Sequence, residues 1–111
     1  MTDKIVILST CGSEVDARRI ATHLIERRLA ACVNITPGVT SVYRWKGAIE
    51  TASEWMLLIK SRRDLVGKIE HEFATVHPYE VPELVALPIV DGGKEYLAWL
   101  GHQLADETEI A

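Results

Sequence analysis

Cysteine is scarce in this chain, with two residues, Cys11 and Cys32, among 111. A disulfide-stapled scaffold needs more, so the two read as free thiols. No apolar run approaches the ~20 residues of a membrane-spanning helix, which excludes a helical membrane protein. Basic residues are the minority, 12 Lys and Arg against 16 Asp and Glu, a net charge of −4. Nucleic-acid-binding surfaces neutralise phosphates with a basic face, and this balance does not supply one. There is no Gly-rich phosphate loop of Walker or dinucleotide type and no HExxH pair. Internal repeats and low-complexity segments are also missing. Met1-Thr2-Asp3-Lys4 runs straight into a strand-like segment without the pattern of a secretory signal, so the expectation is a soluble cytoplasmic protein.

What is present is an ordinary globular mixture, 48% hydrophobic and 25% charged. A chain of this length is expected to form one domain over residues 1–111 with a core that needs no staples. Ile5 to Leu8 is a buried-strand run, ended by Ser9-Thr10-Cys11-Gly12. Ser13 sits at an N-cap position with Asp16 three residues on, a variant of the capping box. Ala17, Ile20, Ala21, Leu24 and Ile25 then form an amphipathic helical stripe that Leu29 extends. A second strand starts at Cys32, is interrupted by Pro37-Gly38 as a bulge or bend, and resumes from Val39 to Trp45. Lys46-Gly47 is a hairpin signal, and the return strand runs from about Ile49 to Lys60. Arg62 to Val76 reads as a second helix, Leu84 to Val90 as a strand, and the segment after Asp91-Gly92-Gly93 as a short third helix. The tail from Asp106 to Ala111 is acidic and expected to fray, or to pair with a neighbour. The order β-α-β-β-α-β plus a short helix predicts an α+β, ferredoxin-like fold with a long β-ribbon and helices on one face of the sheet.

Several strands are apolar on both faces, among them Trp55-Met56-Leu57-Leu58-Ile59. Two helices cover only one face of such a sheet. The other would leave an apolar patch of more than roughly a few hundred Å², which soluble monomers avoid. A homo-oligomer with sheets packed face to face and ribbons paired between subunits is therefore expected, the alternative being a monomer whose short last helix and tail, with few apolar residues, cover that face.

The most constrained stretch is His77-Pro78-Tyr79-Glu80-Val81-Pro82-Glu83. Its two prolines fix φ and push His77 and Val81 away from the α region, which makes a stiff, extended connector. It carries an imidazole, a phenol and two carboxylates. One reading is a strand-entry loop whose histidine and tyrosine fill gaps at the core edge. Another is one wall of an intersubunit cleft that joins Tyr79, Glu80 and Glu83 to Tyr43, Trp45 and Trp55 of the ribbon and to Lys60. A cleft of aromatics with a few convergent polar groups suits a small molecule or anion. Thiolate and imidazole together favour copper or zinc, which makes Cys32, His77 and Cys11 the candidate metal ligands. They come from different elements, and spacing alone does not bring them together. Cys11 precedes a helix start, where a thiol pKa falls, but a plain buried thiol is the simpler reading. His23, His71 and His102 lie on helices and read as solvated surface residues.

Leu29-Ala30-Ala31-Cys32-Val33-Asn34, the ribbon Ser41-Val42-Tyr43-Arg44-Trp45-Lys46-Gly47-Ala48-Ile49-Glu50, and the His77–Glu83 connector strongly resemble the CutA divalent-cation-tolerance family. Tyr96-Leu97-Ala98-Trp99-Leu100 fits that family's last helix. The resemblance implies a ferredoxin-like subunit, an interlocked homotrimer built like the PII signalling proteins, and a role in tolerance of copper and other divalent cations. It implies no enzymatic reaction. It also implies that Cys32 and His77 are copper ligands. A third ligand in some members is a cysteine at the end of the first strand. Here Ser9 takes that place and Cys11 lies two residues later, a shift of about 6–7 Å along the same face.

Overall fold

The computed structural model describes residues 2–106. Of the expected acidic tail, residues 107–111 lie outside the described part. The chain folds as strand β1 (Lys4–Cys11), helix α1 (Glu14–Glu26), strands β2 (Cys32–Trp45) and β3 (Ala48–Arg62), helix α2 (Val66–Val76), strand β4 (Val85–Pro88) and helix α3 (Lys94–Gln103). A single 3₁₀ turn, Arg63–Leu65, leads into α2. The four strands form one antiparallel sheet in the order β2-β3-β1-β4. This is the ferredoxin-like arrangement expected from the element order.

Local chemistry explains most boundaries. The Ser13 side chain accepts the Asp16 backbone N–H and starts α1, as the capping pattern requires. The helix ends at Glu26, short of the periodicity that reaches Leu29. Arg28 takes φ +59, a left-handed conformation that ends a helix. Its guanidinium holds that turn by donating to the Gln103 and His102 carbonyls at the end of α3. Leu29 still reaches the core, because the turn folds it back. At the ribbon tip, Lys46 (φ +49) and Gly47 (φ +85) both have positive φ, the two-residue turn that matches strand twist.

The core lies between the helices and one face of the sheet. Ile5, Ile7, Leu57 and Ile59 pack there against Ile20 and Leu24 of α1 and against Ile69 and Phe73 of α2. The alternate residues, Val6, Leu8, Met56 and Leu58, point to the other face, which α1 and α2 leave uncovered. On the edge strand β4, Val85 and Leu87 extend that face and are 46% and 45% exposed. β4 is shorter than the Leu84–Val90 run expected from composition. His23 differs from its sequence reading. It is half-buried and its Nε2 lies 2.6 Å from a Glu72 oxygen, joining α1 to α2.

Candidate functional site

Pro37 and Gly38 form the bulge that the sequence indicates. Between the register pairs Thr36–Met56 and Val39–Glu54, β2 advances three residues and β3 two. The extra residue reverses the phase of β2. Below the bulge Cys32 and Asn34 share the open face. Beyond it the odd positions take over, and Ser41, Tyr43 and Trp45 lie on the same side as Glu54. The ribbon's aromatic residues are thereby turned toward the His77–Glu83 connector.

The connector is fastened at four points. Arg19 donates to the Val76 carbonyl over 2.6 Å where α2 ends. The His77 backbone N–H donates to the Phe73 carbonyl. His77, 6% exposed, is wedged between the Phe73 and Tyr79 rings, at 5.3 and 4.9 Å. Its Nδ1 accepts the Tyr79 backbone N–H at 3.1 Å, so Nε2 carries the proton and donates to the Thr10 carbonyl at 2.9 Å. Burial holds this imidazole below the ordinary histidine pKa, against the opposing pull of Thr10. Finally, the Tyr79 hydroxyl donates to Glu54 over 2.6 Å. Burial first, and Glu54 second, push the Tyr79 phenol far above the usual tyrosine value, so it stays protonated and donating. Gly12 lies beneath it, where an added Cβ would stand 3.4 Å from that hydroxyl.

Between ribbon and connector lies a groove of about 690 Å³, lined by Tyr43 and Trp45 on one side, Tyr79, Glu80 and Glu83 on the other, and Thr10 and Glu54 at the base. Five of the seven cleft residues expected from the sequence, Tyr43, Trp45, Tyr79, Glu80 and Glu83, meet there. Trp55, on the core side of β3, does not, and neither does Lys60. Lys60 shares the open face but lies six residues along β3 from Glu54, about 20 Å at the usual strand rise. Its ammonium instead bonds Asn34 across the strand pair. Strand alternation assigns a face and not a distance, so within one subunit Lys60 stays apart from the groove. Sequence reasoning missed Glu54 and Thr10. The signal for Glu54 was a carboxylate placed directly before an otherwise apolar strand run.

The three candidate metal ligands do not meet within one subunit. Cys32 opens β2 on the open face, its thiol 3.9 Å from the Asn34 side-chain oxygen. His77 docks at Thr10, whose register partner Met56 is four residues, about 13 Å, along β3 from Lys60, the partner of Cys32. Cys11 faces the core side of the sheet, fully buried. Its thiol lies 3.6 Å from the Ser13 carbonyl, and burial pushes its pKa up, outweighing that hydrogen bond. The lowering that a helix start suggests is therefore reversed by desolvation. Among the described residues no three His, Cys, Asp or Glu side chains converge as a cation site.

A family model described as CutA1 divalent ion tolerance protein matches residues 5–103. The chain belongs to this family. It is 52% identical over 95 residues to the divalent-cation tolerance protein CutA of Thermus thermophilus, which covers 86% of this chain and 92% of that one. Identity with human CutA is 47% over 91 residues, covering 82% of this chain and only 51% of the human protein. Among solved structures, the Thermus thermophilus protein superposes with TM-score 0.89 at 48% identity, covering 92% of this chain and 99% of that one. CutA1 from Oryza sativa gives 0.90 at 39% identity, covering 94% and 95%. The CutA match takes in the ribbon, the bulge and the whole connector, so the groove lies within it.

Proposed function

We propose that this protein is the subunit of a PII-like homotrimer that serves divalent-cation tolerance by binding copper or another divalent cation. The observation that supports assembly is the apolar face that α1 and α2 leave open, with Val6, Leu8, Met56 and Leu58 half-buried and Val85 and Leu87 exposed, and the number of copies rests on the family resemblance. Family membership carries the cation role. A single subunit does not supply a fitting donor set, since Cys32 stands apart and both His77 ring nitrogens are held by backbone groups. In this reading Cys32 is the thiolate ligand, because it sits on the face where copies meet, and the seat is completed between subunits. His77 contributes only if its bond from the Tyr79 N–H gives way. A soft thiolate at the seat favours copper. The protein acts as a binder and not as an enzyme, and its other thiol, Cys11, is too buried to serve as a nucleophile. Its place of action is the cytoplasm, where thiols stay reduced.

The test is a copper titration by calorimetry on the reduced protein, with native mass spectrometry alongside. Saturable binding of one copper per subunit on a trimer, lost in Cys32→Ser, is the expected result. Copper binding unchanged in both Cys32→Ser and His77→Ala would refute the seat.

A second reading has its own observation. The groove joins aromatic walls to a few convergent polar groups, the usual form of a small-molecule site. In that reading the groove, bordered by neighbouring subunits, holds a metabolite and the metal is incidental.

A further inference from the structure

The chemistry of the groove selects its ligand. Three carboxylates, Glu54, Glu80 and Glu83, and three aromatic rings, Tyr43, Trp45 and Tyr79, line it, and no Lys, Arg or His does. Glu54 is the informative member. It is 5% exposed, and its described partner is the neutral Tyr79 hydroxyl on one of its two oxygens. No cationic side chain among the described residues lies within ion-pair distance of it. A buried carboxylate without a counter-charge is unfavourable unless something supplies one. The Trp45 ring already attracts a cation, with the Lys46 ammonium 5.6 Å from its centroid. All three rings are between one-third and one-half exposed, so they remain free to stack on an incoming group. The same features argue against the anion considered from the sequence, since the one lysine assigned to the groove lies elsewhere on the sheet.

We propose that the groove between ribbon and connector binds an organic cation, an ammonium or guanidinium group, stacked on Trp45 and Tyr79 and neutralising Glu54. The inference rests on the groove being a ligand site, the second reading above, and is independent of the Cys32 seat. Two sources share this chemistry: a free amine or guanidine, and a basic side chain of a second copy.

The test uses the full chain in the presence of a chelator, titrated by calorimetry with butylguanidinium and with its neutral analogue butylurea. Saturable butylguanidinium binding is expected, at least tenfold tighter than butylurea and weakened tenfold or more in Glu54→Gln. If that variant does not fold, the Glu80→Gln/Glu83→Gln double variant at the exposed rim takes its place, with a several-fold loss expected. A parent that ignores butylguanidinium while Glu54→Gln dissociates an assembly that stays intact in the parent assigns the cation to a second copy. Equal binding of butylguanidinium and butylurea, or equal affinity in parent and variant, keeps the groove as a ligand site and overturns the cation. Binding of neither probe, with Glu54→Gln assembled like the parent, overturns both.

Discussion

Along β3, neighbouring residues of nearly the same kind face opposite ways. Leu57 and Ile59 are fully buried under the helices, whereas Met56 and Leu58 stay partly exposed on the other face. Apolar character alone does not distinguish them. The difference is what stands opposite: α1 and α2 close one face and leave the other only partly covered. One face holds the fold together. In the proposed assembly the other is the contact face, and it carries Cys32 at one end and the Glu54 groove at the other.

That division is sharpest under truncation. Ile59→Ala and Phe73→Ala open cavities on the closed face and are expected to destabilise by about 2–5 kcal/mol in urea unfolding. Leu58→Asp on the open face is expected to leave the circular dichroism spectrum of the subunit intact. It should instead lower the mass of the assembly. Comparable loss of helix and strand signal in both would erase the distinction.

Tyr79→Phe probes the far end of the open face. It strips the buried Glu54 carboxylate of its described donor, and a loss of about 1–3 kcal/mol is expected in the same assay. A change below experimental error would mean that Glu54 is already neutralised from elsewhere.

His77 and Glu72, which both join elements, should each lose stability as pH falls, in separate windows. His77 has its pKa below the ordinary 6.5, so the unfolded chain takes up its proton first and stability falls as pH drops below about 6.5. Glu72, paired with His23 and held below 4.5, contributes stability above that value and loses it as pH falls through its lowered pKa. Unfolding midpoints measured across pH 3–8, roughly the range these groups span, should show the upper step vanish in His77→Gln. An unaltered upper step would remove His77 as its source.

The smallest effect is expected at Ser9. Its buried hydroxyl has no partner among the described groups, on the closed face opposite Leu57. Ser9→Ala removes an unsatisfied polar group and should be neutral or stabilising by up to about 1 kcal/mol. A clear destabilisation would show that the hydroxyl has found a partner.

Much of the fold was legible because local rules fixed it. Ser13 marked the start of α1, Lys46-Gly47 the ribbon turn, and the unbroken apolar run of β3 a sheet with two apolar faces. The end of α1 was not, because Arg28 adopts a left-handed turn that its long-range bonds to the end of α3 help to hold in place. The groove was half legible. The prolines around Tyr79 announced a rigid wall, and the aromatics announced the other. Glu54 and Thr10 escaped because the Pro37-Gly38 bulge, and not composition, decides which β2 residues face them. Lys60 and Cys32 show the converse limit, since the right face still left them far from the connector.

The most direct measurement is the solution mass by light scattering at micromolar concentration, parent beside Leu58→Asp. The parent should scatter as three times the 12.4 kDa chain, and the variant should fall toward a single chain. A parent mass of 12.4 kDa would contradict the assignment of the open face to subunit contact.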